Sequence, residues 1–233
     1  MSNKYIGTEL EIFAYATNWK NYYASIIHPY LSGRVLEVGA GMGMTTKVLC
    51  QANYQKWICL EPDPLLLAKI QELIDNNQLP RFCEAKVGTL SELNEVSLDT
   101  IIYIDVLEHI ENDYNELKNS LQSLNHGGKL VIISPAHQWL YSPFDKNIGH
   151  YRRYTKRSLT SIVPKGFKCI KLSYIDSVGM LASIANKILL KSAVPSLKQI
   201  LFWDRVLVPI SKMLDPLLFF STGKSVIGIW EKI

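Results

Sequence analysis

Residues 35–43 read VLEVGAGMG: an apolar run that carries Glu37 breaks into Gly39, Gly41 and Gly43 at alternate positions. Such a turn lets bare backbone approach a ligand that side chains would keep away. Acids accompany it, with Glu37 just ahead of Gly39, Glu61 in CLEPD and Asp105 in YIDVLEHI. A dinucleotide fingerprint needs GxGxxG, and Met44 stands where its last glycine or alanine would fall. Three carboxylates around one pocket repel a pyrophosphate but suit a cationic ligand. An acid at the Glu61 position accepts the hydroxyls of a ribose, so the expected ligand is a cation with a ribose and no phosphate.

A second group of residues could do proton chemistry. His109 follows Asp105 within DVLEH, and its side-chain class suits a general base near neutral pH. It could equally be a helix-start residue that orients backbone. PAHQWLYSPFDKNIGHYRRYT, residues 135–155, concentrates His137, Trp139, Tyr141, Asp145, His150, Arg152, Arg153 and Tyr154. Loops in such places often form lids, so His137, Tyr141, His150, Arg152 and Arg153 are candidates for an acceptor pocket. The arginines would meet an acceptor carboxylate or phosphate, or pair with Asp145 to pin the loop.

These residues need a frame. Strand-like runs at 34–38, 57–61, 81–87, 100–105 and 129–134 alternate with helical patterns, and two more strands are expected at 167–175 and 225–233. LNHGGKL reads as a helix stopped by glycines after Asn125. A βαβ series of this kind makes a doubly wound, Rossmann-like α/β sheet whose ligand lies beyond the carboxyl ends of the strands. The chain of 233 residues reads as a single domain: an N-terminal helical segment (1–33), a ligand-binding core (34–134), a lid-like insertion (135–165) and an apolar helical insertion (178–222) before the last strand.

Composition narrows the class. With 48% hydrophobic and 20% charged residues the chain is globular. The net charge of +4 clusters only at 151–157, which speaks against a nucleic-acid partner. Cys50, Cys59, Cys83 and Cys169 have no metal-ligand spacing and read as buried reduced thiols of a cytoplasmic protein. The first residues lack the pattern of a secretion signal, and charged residues interrupt every apolar run before spanning length.

VLEVGAGMG, CLEPD, YIDVLEHI and LNHGGKLVIISPA together resemble, in order and spacing, motifs of class I S-adenosylmethionine-dependent methyltransferases. The resemblance covers residues 8–175 and the closing hairpin. It implies a seven-stranded, mostly parallel sheet whose antiparallel last strand lies between strands five and six. It also implies S-adenosyl-L-methionine as cofactor and S-adenosyl-L-homocysteine as product, with contacts from Glu37, Gly39, Ala40, Gly41, Gly43, Glu61, Pro62, Gly88, Thr89, Leu90, Asp105 and Val106. The family often has Asp where this chain has Thr89.

Asp105, Glu108 and His109 also match the carboxylate-x-x-Glu-His pattern of ubiquinone-type O-methyltransferases, in which such residues can hold a divalent cation. Asp replaces the first Glu, and no metal is assigned. The expected reaction is methyl transfer to a small hydrophobic or amphipathic acceptor, at oxygen, with His109 as base. Rivals are a nucleic-acid or protein methyltransferase, although DVLE stands after the fourth strand where amine methylation of bases usually shows a Pro-Pro-aromatic clamp, and a non-catalytic cofactor-binding subunit. Lys187, Lys191, Lys198, Arg205 and Lys212 in the 178–222 insertion would suit an anionic membrane surface or a solvated face. No oligomeric state is set by the sequence.

Overall fold

The computed structural model describes residues 9–51, 54–93, 97–185, 187 and 195–233. The start of the expected N-terminal segment, residues 94–96 and the stretch 188–194 with Lys191 lie outside the described residues. Seven strands form one sheet: β1 (Arg34–Val38), β2 (Lys56–Glu61), β3 (Cys83–Val87), β4 (Leu98–Ile104), β5 (Leu124–Pro135), β6 (Phe167–Ile175) and β7 (Ser225–Lys232). Their spatial order is β3-β2-β1-β4-β5-β7-β6. β7 runs antiparallel between β5 and β6, as the family resemblance implies.

Alternation along each strand sends side chains to two cores. Val35, Trp57, Ile102, Val131 and Ile229 face one, where α2 (Thr17–Ile27), α3 (Met44–Leu49) and α4 (Pro64–Asp75) pack. Leu36, Ile58, Tyr103, Ile132 and Trp230 face the other, beneath α5 (Asp113–Ser123) and α7 (Lys156–Ile162). Gly228 has a packing reason: a Cβ there would sit 2.1 Å from the fully buried Trp230 ring. The β-branched and aromatic residues of these strands explain why their positions are readable from the sequence.

Two expectations need correction. α5 ends at Ser123, ahead of the glycines, and Leu124 already pairs with Leu98. The glycines belong instead to an outward bulge between that pair and Thr100↔Lys129, where Gly127 takes φ +78°. Cys50, Cys59 and Cys83 are buried free thiols, but Cys169 is exposed on β6.

The remaining helices stand at the carboxyl edge of the sheet or pack over α2: α1 (Glu9–Phe13), α6 (Pro143–Asn147), α8 (Ser177–Ala185), α9 (Leu197–Phe202) and α10 (Val208–Leu217). A π-helical turn, Trp203–Leu207, joins α9 to α10. Pro209 lacks an N–H and its ring crowds the carbonyl four residues back, which accounts for a widened turn there. The face that α9 and α10 turn inward sets buried acids among apolar residues such as Ile200, Trp203 and Val208. Asp204 accepts from the N–H groups of Asn18 (3.2 Å) and Trp19 (2.9 Å), capping α2, whose own cap residue Ala16 has no side-chain acceptor. Asp215 accepts from the N–H groups of Asp176 (2.7 Å) and Ser177 (3.0 Å), capping α8, and from the Tyr22 hydroxyl (2.7 Å). Asp176 accepts from Ser211, Gly179 and Trp203. Three buried aspartates therefore fix which side of the insertion faces the protein.

Candidate active site

The glycine turn sits at the carboxyl end of β1. Gly39 takes φ +67°, and a Cβ there would lie 2.6 Å from Val106. Gly41 takes φ +56°, and its missing Cβ would meet only Leu10 of α1, at 3.8 Å. The turn thus presents bare backbone to a cavity of about 900 Å³, large enough for a nucleoside-sized cofactor and a small second molecule. α1 covers it through Leu10 and Phe13, and Phe13 meets Phe144 of α6 and Trp203 of the π turn.

Gly39, Ala40, Gly41 and Asp105 line this cavity, together with His109, Tyr141, His150 and Arg153. Glu37, Gly43, Glu61, Pro62, Gly88, Thr89, Leu90, Val106, His137 and Arg152 do not. Several of these form the support instead. Glu61 accepts from the N–H groups of Gly41 (2.8 Å) and Asp63 (3.0 Å), which ties the turn to the end of β2. Gly88 donates to the Glu61 carbonyl at 3.1 Å. Glu37 accepts from Thr46 (2.7 Å) and Trp57 (2.9 Å) behind the turn, where burial lifts its carboxyl to about 7. Thr89 gives its hydroxyl to Glu92 in a capping box.

Asp105 follows β4 in a left-handed conformation, φ +54°, open to the cavity yet surrounded by protein. Burial raises its pKa, against the opposing fields of His150, Lys224 and Lys20. Lys20 reaches the cavity from α2 and donates to the Phe13 carbonyl (2.6 Å) at the end of α1. Its burial brings its pKa down to about 8.

The 135–155 stretch is organised by Asp145, which is fully buried. Its carboxylate accepts from Ser142 backbone and hydroxyl (both 2.8 Å), from Arg153 through two nitrogens (2.8 and 2.9 Å) and lies 2.9 Å from His150 Nδ1. Burial alone would push the Asp145 pKa up, but the bonds with His150 and Arg153 hold it well below the usual carboxylate range. Arg153 is thereby committed to the lid, and Arg152 pairs with Asp113 instead. Tyr141 donates to the His150 carbonyl at 2.6 Å. His137 stacks near Tyr174, centroids 4.7 Å apart, outside the cavity wall.

With Nδ1 on Asp145, His150 turns Nε2 toward Glu108, 3.8 Å away. His109 crosses the His150 ring edge-on, centroids 4.5 Å apart. Burial, then the neighbouring imidazole, lowers the His109 pKa to about 4, so it is neutral at physiological pH. Glu108 is fully buried and neither of its carboxylate oxygens has a hydrogen bond of good geometry, with Ser134 and its own backbone N–H as the nearby donors. Burial and Asp105 raise its pKa. One oxygen of Glu108 and one nitrogen each of His109 and His150 lie within 4.8 Å of one another. That donor set, two imidazoles and an orphaned carboxylate, fits a divalent transition-metal cation better than Ca²⁺ or Mg²⁺. The first acid of the sequence pattern, Asp105, is not in this cluster; His150 of the lid takes a place in it.

Sequence reasoning did not single out Lys20, Lys224 or Leu10. A lysine on a helix reads as solvated, and nothing in its spacing tells that α1 and the strand β7 turn toward one cavity.

The methyltransferase domain family profile matches residues 36–132. A ubiquinone biosynthesis O-methyltransferase of Idiomarina loihiensis is 26% identical over 100 residues, covering 42% of this chain and 41% of that protein. The chain therefore spans about two fifths of that relative's length. A geranyl diphosphate methyltransferase solved with S-adenosylmethionine superposes with a TM-score of 0.67 over 97% of this chain and 91% of that one, at 9% identity. A protein described as a putative sarcosine dimethylglycine methyltransferase from Galdieria sulphuraria gives 0.62 over 93% and 85%, at 16% identity. The cyclase SpnF also gives 0.62, over 91% and 81%, at 14% identity. Its presence in the same fold shows that the reaction must be argued from the site.

Proposed function

We propose that the chain is a class I S-adenosylmethionine-dependent methyltransferase that methylates an oxygen of a small hydrophobic or amphipathic acceptor, a reading supported by the methyltransferase domain profile over residues 36–132. The observation that carries this reading is the Asp145–His150 pair, set in the wall of the cavity that the bare glycine turn opens into. Gly39, Ala40, Gly41 and Asp105 line the cavity and would hold S-adenosylmethionine, which would supply an already activated methyl group and leave as S-adenosylhomocysteine. Glu61 ties the turn to β2 through the Gly41 N–H, and Glu37 sits behind it on Thr46 and Trp57. The protein's remaining task is alignment and exclusion of water.

A hydroxyl acceptor also has to lose a proton. The proposed base is His150 Nε2: an ionised Asp145 would keep the Nδ1 proton and orient the ring. His109, the base expected from the sequence, has its pKa lowered to about 4 by burial and supports His150 by packing against it. The similarity to an O-methyltransferase supports oxygen as the reacting atom. The apolar wall of Phe13, Leu140, Phe144, Ile200 and Leu207 supports a hydrophobic acceptor.

A second reading is favoured by the orphaned Glu108 oxygens: Glu108, His109 and His150 would hold a divalent cation that binds and acidifies the acceptor hydroxyl. Incubation with methyl-labelled cofactor separates the possibilities. Label should enter a solvent-extractable product of a cell extract and fall at least tenfold with His150→Gln. Label in RNA or protein alone, or none at all, would refute the proposal, and loss of transfer on chelation would select the cation reading.

A further inference from the structure

We propose that the α9–α10 rod docks flat on an anionic lipid bilayer. Its exposed side carries Phe202, Val206, Ile210, Met213 and Leu217 at successive helical turns, and Phe219 follows the helix end. Met213 is 74% exposed, Leu217 73% and Phe219 87%. A water-facing helix has no reason to keep such a row outside while burying Asp204 and Asp215. The rod cannot roll to hide the row, because those aspartates cap α2 and α8 and would be pulled off them.

Charge identifies the occupant. Lys198, Arg205 and Lys212 recur at seven-residue spacing beside the apolar row, all exposed. Among the described residues, 197–219 expose no acid, since both aspartates of this stretch face inward. An apolar stripe edged by cations and free of surface acids matches the interface of an anionic membrane, with the stripe at the acyl boundary and the cations among headgroups. No described helix is long and apolar enough to cross a membrane, so the contact is peripheral. Phe202 and Gln199 of the same rod line the cavity, so docking would set the cavity beside the bilayer. That last step rests on the proposed methyl transfer to an amphipathic acceptor; the docking itself does not.

Sedimentation of the full chain with vesicles at low salt tests the docking without reference to activity. Binding is expected to equimolar phosphatidylglycerol and phosphatidylcholine, and not to phosphatidylcholine alone. Each cation near such a surface is worth about fivefold in partitioning, so Lys198→Glu/Arg205→Glu/Lys212→Glu should weaken binding on the order of a hundredfold or more. Met213→Glu/Leu217→Glu should abolish it, with unchanged circular dichroism and melting temperature because both side chains are exposed. Failure of the wild type to bind the mixed vesicles overturns the proposal, as does undiminished binding by both variants. A wild-type dimer that Met213→Glu/Leu217→Glu separates, without vesicle binding, would instead make the stripe a contact between copies.

Discussion

Replacing Glu37 by glutamine should change how stability depends on pH, by an amount that the structure sets. The carboxyl is 3% exposed, and one of its oxygens accepts from both Thr46 and Trp57. Burial lifts its pKa from 4.5 to about 7, so the folded protein keeps a proton that the unfolded chain releases. The stabilisation from that proton is fully present below pH 4.5 and is lost as pH rises through about 7. Between about pH 5 and 8 the wild type should lose about 2.5 kcal/mol from this residue alone. Glutamine offers a carbonyl oxygen to the same two donors and does not titrate. Other groups titrate equally in both proteins, so the difference between their profiles isolates Glu37. For a domain of this size the melting temperature of the variant should gain about 5–10 °C on the wild type across that range. Thermal melts followed by circular dichroism would show it, and parallel profiles would refute the claim that Glu37 is held protonated behind the turn.

Further outcomes follow from the same geometry. Asp204→Ala strips the acceptor from two α2 N–H groups and should cost about 2–4 kcal/mol in urea unfolding, with Asp204→Asn recovering part of it. Gly39→Ala drives a methyl into Val106 and forces a left-handed alanine; affinity for S-adenosylhomocysteine should fall at least tenfold by calorimetry, and Val106→Ala in the same chain should restore some of it. Asp145→Asn should lower turnover by about a hundredfold or more while leaving cofactor affinity within about twofold, because the asparagine can orient His150 in the wrong tautomer. Equal loss of binding and turnover would mean that Asp145 only holds the lid together.

The sheet was legible because each strand is a short run of β-branched and aromatic residues closed by a turn, and the glycine turn because three small residues cannot otherwise follow a buried strand. Spacing marked Glu61 as a ribose acceptor, whereas in the fold its carboxylate accepts from the Gly41 and Asp63 N–H groups, a partnership that spacing does not carry. What the spacing could not carry was partnership across the chain. DVLEH marks His109, but the residue that gives the cluster its orienting carboxylate is His150, forty-one positions on, and only the folded lid brings the rings to 4.5 Å. The apolar content of 178–222 was plain, yet its inside was not. Asp204 and Asp215 look like solvated residues until the helix ends they cap are known.

Calorimetric titration of the folded protein with S-adenosylhomocysteine tests the central claim most directly, since every proposed catalytic role depends on that molecule lying along Gly39–Gly41. One equivalent should bind with measurable heat, weakened by Gly39→Ala. A well-folded sample, verified by its melting transition, that takes up neither this product nor S-adenosylmethionine would contradict the account.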